Sequence, residues 1–162
     1  MSKTWVLDAS SLIILGKLSL LHILNPLCKE IIIPDGVTKE ILRGPDNDKA
    51  KVWLQQEGKK FQKKISPISS NIASWDLGLG ENEVLSYCYA NSQYVAIIDD
   101  RAAKKCAITF SIKTKGTLSI IIKAQKAGLI PEVKPVLDQM IEAGFRIKDS
   151  LYLKVIEIAN ER

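Results

Sequence analysis

Residues 94–101 read YVAIIDDR. Tyr94 to Ile98 is an uninterrupted aromatic and aliphatic run, and it ends on two carboxylates, Asp99 and Asp100. A short continuous apolar run rich in β-branched residues is the pattern of a strand buried on both faces, as in a parallel sheet covered by helices. Acids that follow such a run stand at the strand's carboxyl end, and open α/β sheets bind ligands outside those ends. The same sequence of events opens the chain, where Thr4 to Leu7 (TWVL) runs into Asp8.

Outward from these two segments, strands and helices alternate. After the strand Thr4–Leu7, Ser10 or Ser11 is expected to cap a helix with Leu12, Ile13, Leu15 and Leu18 on one face. Leu20 to Leu24 continues as a second short helix that Asn25-Pro26 stops. Glu30–Ile33 reads as a strand running into Pro34. Asp35-Gly36 then turns the chain into the helix VTKEILRG, with Val37, Glu40 and Ile41 at i, i+3, i+4 spacing. Lys49–Glu57 reads as helix, Phe61–Ile65 as a third strand, and Ser66–Ser74 as the most loop-like stretch.

GLG then leads into ENEVLSYCYAN, a helix with Val84, Leu85, Cys88 and Tyr89 on one face. Arg101–Ala107 is predicted helical and Ile108–Ile112 a last short strand. Three helices close the chain: GTLSIIIKAQKAG, PEVKPVLDQMIEAG and SLYLKVIEIANE. The alternation predicts a three-layer α/β/α sandwich with a mostly parallel sheet of about five strands. A single domain over residues 1–162 is expected, with residues 131–162 as its closing helices.

Composition narrows the function. Lys and Arg total 23 against 18 Asp and Glu, a net charge of +5 that favours polyanions mildly and serves solubility equally well. Cys28, Cys88 and Cys106 are odd in number and lack C-x-x-C spacing, so they read as buried thiols of a reducing compartment. His22 is the one histidine and is expected to be a packed side chain; multi-histidine metal sites and histidine triads are excluded. Trp5, Trp53 and Trp75 are scattered and read as core. No secretory leader or membrane span of about 20 apolar residues is visible, so a soluble, cytoplasmic protein is expected.

The chemistry rests on the acids. Asp8, Asp99 and Asp100 follow strands directly, while Glu40, Glu81 and Glu83 lie at helix positions, and Glu83 comes close to the same edge only if a crossover places it there. Taken singly, each has a structural role as a cap, a first-turn charge or a solvated side chain. Taken together they need a cation, and Mg²⁺ or Mn²⁺ suits oxygen ligands. Lys39, Arg43, Arg101, Lys104 and Lys105 flank the acids and suit a phosphodiester backbone. Metal-dependent hydrolysis of a nucleic acid follows. GLGENE lacks the third glycine of a dinucleotide fingerprint, and no phosphate-loop or nucleophile-elbow motif is present. Lys115-Gly116-Thr117 opens a helix, as a turn with Thr117 capping or as an anion site.

VLDAS, PDGVTKEI, GENEVLSYCYA and AIIDDR, in this order and spacing, resemble the PIN-domain family, the nuclease fold of VapC-type toxins. GLGENEV, DDRAAKK, GTLSIIIKAQKAGLI and EAGFRIKDSLY look like a prokaryotic branch of that family, DUF3368-like. The resemblance implies Asp8, Glu40, Glu83 and Asp100 as catalytic acids that bind Mg²⁺ or Mn²⁺, with Asp99 as a further metal ligand. Ser10, Glu81 and Thr117 are secondary candidates. It implies an endoribonuclease that attacks RNA with a metal-activated water, frequently a homodimer, often with an antitoxin protein as partner. The sequence departs from the family pattern with Glu83 where Asp is commoner, and with Ile98 where Thr or Ser precedes the fourth acid. Two alternatives stay open: a catalytically degenerate module binding RNA or protein, and a hydrolase of small phosphate esters.

Overall fold

The computed structural model describes residues 3–64 and 68–161. Strand β1 (Thr4–Leu7) is followed by helix α1 (Ala9–Lys17), a 3₁₀ turn and the short helix α2 (Leu24–Leu27). Strand β2 (Glu30–Pro34) leads into α3 (Asp35–Leu42) and α4 (Lys49–Gln55), then β3 (Gln62–Lys63). Next come α5 (Ser70–Ala73), α6 (Leu79–Ala90), β4 (Tyr94–Ile97), α7 (Arg101–Thr109) and β5 (Thr114–Lys115). Helices α8 (Thr117–Lys126), α9 (Lys134–Glu142) and α10 (Asp149–Ile158) close the chain.

The five strands form one parallel sheet in the order β3-β2-β1-β4-β5. Val6, Leu7, Ile32, Ile33, Ala96 and Ile97 are fully buried, as strands covered on both faces must be. From β1 the chain winds through β2 to β3 on one side, then crosses back to β4 and β5 on the other. Right-handed crossovers put the first set of connecting helices on one face and the second on the opposite face. The result is a three-layer α/β/α sandwich. Thr4 pairs with both Glu30 and Tyr94, and Leu7 with Ile97, so β1 is the central strand and its end is level with that of β4.

Several elements differ from the sequence reading. Ile108 and Thr109 belong to α7, and the expected strand Ile108–Ile112 does not form; β5 lies two residues later. Helix α7 ends in a left-handed Ser111 (φ 56°), with Ser111 N–H donating to Ile108 O and Ile112 N–H to Ala107 O. That capping motif satisfies the last carbonyls and outweighs the β preference of the isoleucines. Pro26 sits within α2, not after it, because its missing N–H falls in the first turn, where no intrahelical acceptor exists. The helix α5 occupies part of the expected loop. β3 is shorter than expected, and the Ile65, Ser66 and Pro67 portions of those two expectations lie outside the described residues.

Asp8 itself, not Ser10 or Ser11, caps α1. His22 is exposed, not packed, and Tyr89 and Trp75 are exposed on the surface, where both rings pack steeply inclined against Phe110. Cys28, Cys88 and Cys106 are buried free thiols. Among the described residues no single helix is long and apolar enough to cross a membrane.

Candidate active site

The strand order reverses between β1 and β4, since β1 feeds the chain towards β2 and β4 feeds it towards β5. A crevice opens outside the carboxyl ends of two strands whose connections leave in opposite directions. Asp8 stands at the end of β1 in that crevice, with its own N–H donating to Ile97 O on β4 at 3.2 Å. Its carboxylate is 1% exposed. Asp8 Oδ1 accepts from Ser11 N at 3.0 Å and from Ser11 Oγ at 2.5 Å, and Oδ2 accepts from Ser10 Oγ at 3.1 Å. Burial pushes the Asp8 carboxyl up to about 7; the Ser11 hydroxyl and amide hold it down in part, and the charge of Asp99 pushes it further up.

Asp99 arrives from β4 and is half-buried. Its Oδ1 accepts from Thr117 N at 2.8 Å and its Oδ2 from Thr117 Oγ at 2.5 Å, which fixes it to the first turn of α8. Gly116 makes this approach possible: a Cβ there would lie 2.9 Å from Asp99 Oδ1 and 3.6 Å from Lys104 Nζ. Gly116 is the cap position of α8 and Thr117 its first residue, so the anion that this turn binds is the protein's own carboxylate. Asp100 is exposed and turns away to cap α7, accepting from Ala103 N at 2.9 Å. The partner that raises the Asp8 carboxyl is Asp99, not Asp100.

The glutamates come from the contact between α3 and α6. Glu83 is buried, and both its oxygens accept from Gly36 N, at 3.1 and 3.0 Å. It thereby caps the first turn of α3 from a neighbouring helix. Any side chain at Gly36 would overlap Glu83 Oε2. Glu40 lies on the exposed side of α3 beside Gly80, where a Cβ would come within 3.6 Å of its Oε1. Partial burial, followed by the charge of Glu81, raises the Glu40 carboxyl, while Arg43 lowers it. The acids therefore come as two couples, Asp8 with Asp99 and Glu40 with Glu81, and Glu83 is held at the start of α3.

Among the described residues no three of these side chains are grouped tightly enough to ligate one ion as they stand, and four of them, Asp8, Glu83, Asp99 and Asp100, are each drawn to a helix amide. The donor chemistry nevertheless suits a hard divalent cation. All the donors are carboxylate oxygens, none is ion-paired among the described residues, and the Asp8–Asp99 repulsion is of the kind that a cation relieves. Ser10 is exposed and contacts Asp8 from the solvent side. Two contributors escape a reading of the acids alone. Ser11, buried and three residues after Asp8, carries most of the aspartate's hydrogen bonding, and that i+3 spacing is its one sequence signal. The Gly36 amide carries no sequence signal beyond a glycine after Asp35.

A family model described as PIN domain, DUF3368, matches residues 4–161. No curated protein matches the chain. PIN domains are of the nuclease-type fold and generally use divalent metals. The match spans nearly the whole chain, from β1 past the end of α10, and with the parallel sheet and its acidic edge it shows that this protein belongs to the PIN-domain family.

Proposed function

We propose that this protein is a Mg²⁺- or Mn²⁺-dependent endoribonuclease that hydrolyses RNA phosphodiester bonds. The observation that carries the reading is Asp8, a buried carboxylate at the switch point of a parallel sheet. A second acid, Asp99, stands beside it, and no cationic side chain pairs with either among the described residues. Asp8, Asp99, Glu83 and Glu40 would hold the ion, with Asp100 and Glu81 at its rim. When bound, the cation supplies an activated water and neutralises charge on the phosphoryl oxygens. The chain's own residues orient the acids: Ser11 and Ser10 aim Asp8, Thr117 aims Asp99, and the Gly36 amide aims Glu83. Arg101 and Lys104, on the helix that follows Asp100, supply positive charge for a phosphate beside Asp99.

The competing reading is a binding module with a degenerate site. Its support is that among the described residues no three acids are grouped tightly enough to hold an ion, while Asp8, Glu83, Asp99 and Asp100 are engaged as helix caps. Calorimetric titration with Mn²⁺ and with Mg²⁺, wild type beside Asp8→Asn, run with an RNA cleavage gel, separates the two. Binding and cleavage that both vanish in the variant establish the nuclease. RNA binding without cleavage in either metal favours the module, and cleavage unchanged in the variant refutes the assignment of Asp8.

A further inference from the structure

Beside the acidic edge lies a cleft of about 540 Å³, within the size range of ligand sites. Asp99 and Gly116 form its inner end. Arg101 and Lys104 of α7 line it, together with Arg146 and Lys148 from the loop between α9 and α10. None of these four cations is in an ion pair among the described residues, and Arg101, Arg146 and Lys148 are exposed. Four unpaired positive charges around one hollow repel each other, and a polyanion relieves that repulsion.

The loop is aimed by its backbone. Gly144 (φ 97°) takes the left-handed turn that ends α9, and Phe145 N–H donates to Met140 O at 2.9 Å. Phe145 then lines both this cleft and a smaller hollow against Ser10 and Ile13 of α1. The basic loop is thus seated between the helix that Asp8 caps and the cleft that begins at Asp99. In the first turn of α8, the N–H groups of Leu118 and Ser119 precede the first intrahelical bond, Ile120 N to Gly116 O, and these two residues also line the cleft.

We infer that this cleft is the track for the phosphate backbone of single-stranded RNA next to the scissile bond, with Arg146 and Lys148 as substrate-positioning residues. The inference rests on the nuclease reading above for what happens at Asp99. It adds that residues of the closing helical segment, distant in sequence from every acid, set RNA affinity. Each phosphate neutralised on a single strand contributes a slope of about −0.7 to the dependence of log K on log salt.

The test is fluorescence anisotropy of a labelled single-stranded RNA across a KCl series without divalent metal. It compares wild type, Arg146→Ala/Lys148→Ala and Lys59→Ala/Lys60→Ala on an exposed remote basic run. The double variant in the cleft is expected to flatten the slope by about 1.4 and weaken binding at least tenfold at low salt. The remote pair is expected to keep the wild-type slope. Cleavage of the same RNA is followed separately. RNA that is cleaved and bound with an unchanged slope in the cleft variant overturns this inference and leaves the nuclease reading intact. Cleft-dependent binding without any cleavage overturns the nuclease reading and supports the cleft. Absent RNA binding, or tighter binding of a duplex, overturns the cleft as a single-strand track. Melting curves that match wild type exclude misfolding of the exposed-residue variants.

Discussion

Asp8→Asn should make the metal-free protein more stable at neutral pH while abolishing its activity. Asp8 is 1% exposed, and burial with the charge of Asp99 lifts its carboxyl from an ordinary 3.8 to about 7. At about 1.4 kcal/mol per pH unit, the ionised form is disfavoured in the fold by at most about 4 kcal/mol. Local relaxation and water penetration at the crevice reduce that, and about 2 kcal/mol is the expected gain. Asparagine keeps the capping role, since its Oδ1 accepts from Ser11 N and Ser11 Oγ as Asp8 does. The amide on the other side meets Ser10 Oγ, an exposed hydroxyl that turns to accept.

The pH dependence gives the sign. A carboxyl whose folded pKa lies above its unfolded value favours the fold while protonated. Its stabilisation is present below about pH 4 and is lost as pH rises towards and through 7. The variant's advantage over wild type should therefore be near zero at pH 4 and full at pH 8. For a chain of this length about 2 kcal/mol is roughly 4–8 °C in Tm. Thermal melts in EDTA at pH 4.5, 6 and 8 read it directly. Adding Mn²⁺ should raise the Tm of wild type and leave Asp8→Asn unmoved, because a ligand stabilises the state that binds it. A variant less stable than wild type at pH 8, or a difference that does not change with pH, would refute the reasoning that Asp8 is a buried, unneutralised acid.

Three other perturbations probe the supports of the acids. Gly36→Ala gains about 1 kcal/mol of helix propensity, but its methyl group displaces the Glu83 carboxylate and leaves it buried without a donor; urea unfolding should show a net loss of about 1–2 kcal/mol, together with weaker Mn²⁺ binding by calorimetry. Thr117→Val removes the hydroxyl that fixes Asp99 from a fully buried position; Tm should fall by the equivalent of about 1.5–3 kcal/mol and cleavage should drop, with both recovered in Thr117→Ser. Asp100→Asn keeps an exposed cap that asparagine fills equally well, so stability should stay within about 0.5 kcal/mol, and a cleavage rate within a few-fold of wild type would assign the fourth acidic position to Asp99.

The sheet was legible because its central strands are apolar on both faces: Val6, Leu7, Ile32, Ile33, Ala96 and Ile97 leave no polar alternative reading. Local signals failed where tertiary structure or a backbone cap outweighs propensity. Ile108 is 76% exposed on α7 although its neighbourhood reads as strand, because the left-handed Ser111 completes the helix end there. The acids at strand ends could be found from the pattern of an apolar run followed by a carboxylate. Which of Asp99 and Asp100 faces Asp8 could not, since adjacent residues differ only in the direction in which the chain leaves β4. Glu83 was expected in the first turn of its helix, but α6 begins at Leu79 and places only Glu81 there; the partner of Glu83, the Gly36 amide, lies 47 positions away and reveals itself only when α3 and α6 pack. Arg146 and Lys148 lie in EAGFRIKDSLY, which carried only the resemblance and no placement, because nothing in a basic loop between two amphipathic helices tells which edge of the sheet it will reach.

Capping and ligation are not rival explanations of these acids. In a parallel sheet the helices that follow the strands begin at the carboxyl edge, so α1, α3, α7 and α8 bring their positive ends to one side of the molecule. Asp8 caps α1, Glu83 caps α3, Asp100 caps α7 and Asp99 caps α8. Those helix ends are what allow so many carboxylates to gather at one edge before any cation arrives. A carboxylate offers about four lone-pair sites, and the caps leave some of them free: among the described residues Asp8 Oδ2 accepts only from Ser10, and both oxygens of Glu83 share a single N–H. The amides therefore fix where the acids stand, and the remaining lone pairs are what a divalent ion can use. Alanine at any of these positions removes both functions at once, so a loss of activity in an alanine variant says little about chemistry. Asparagine at Asp8, Asp99 and Asp100 keeps the cap and removes the charge, which isolates the contribution of each acid to the reaction.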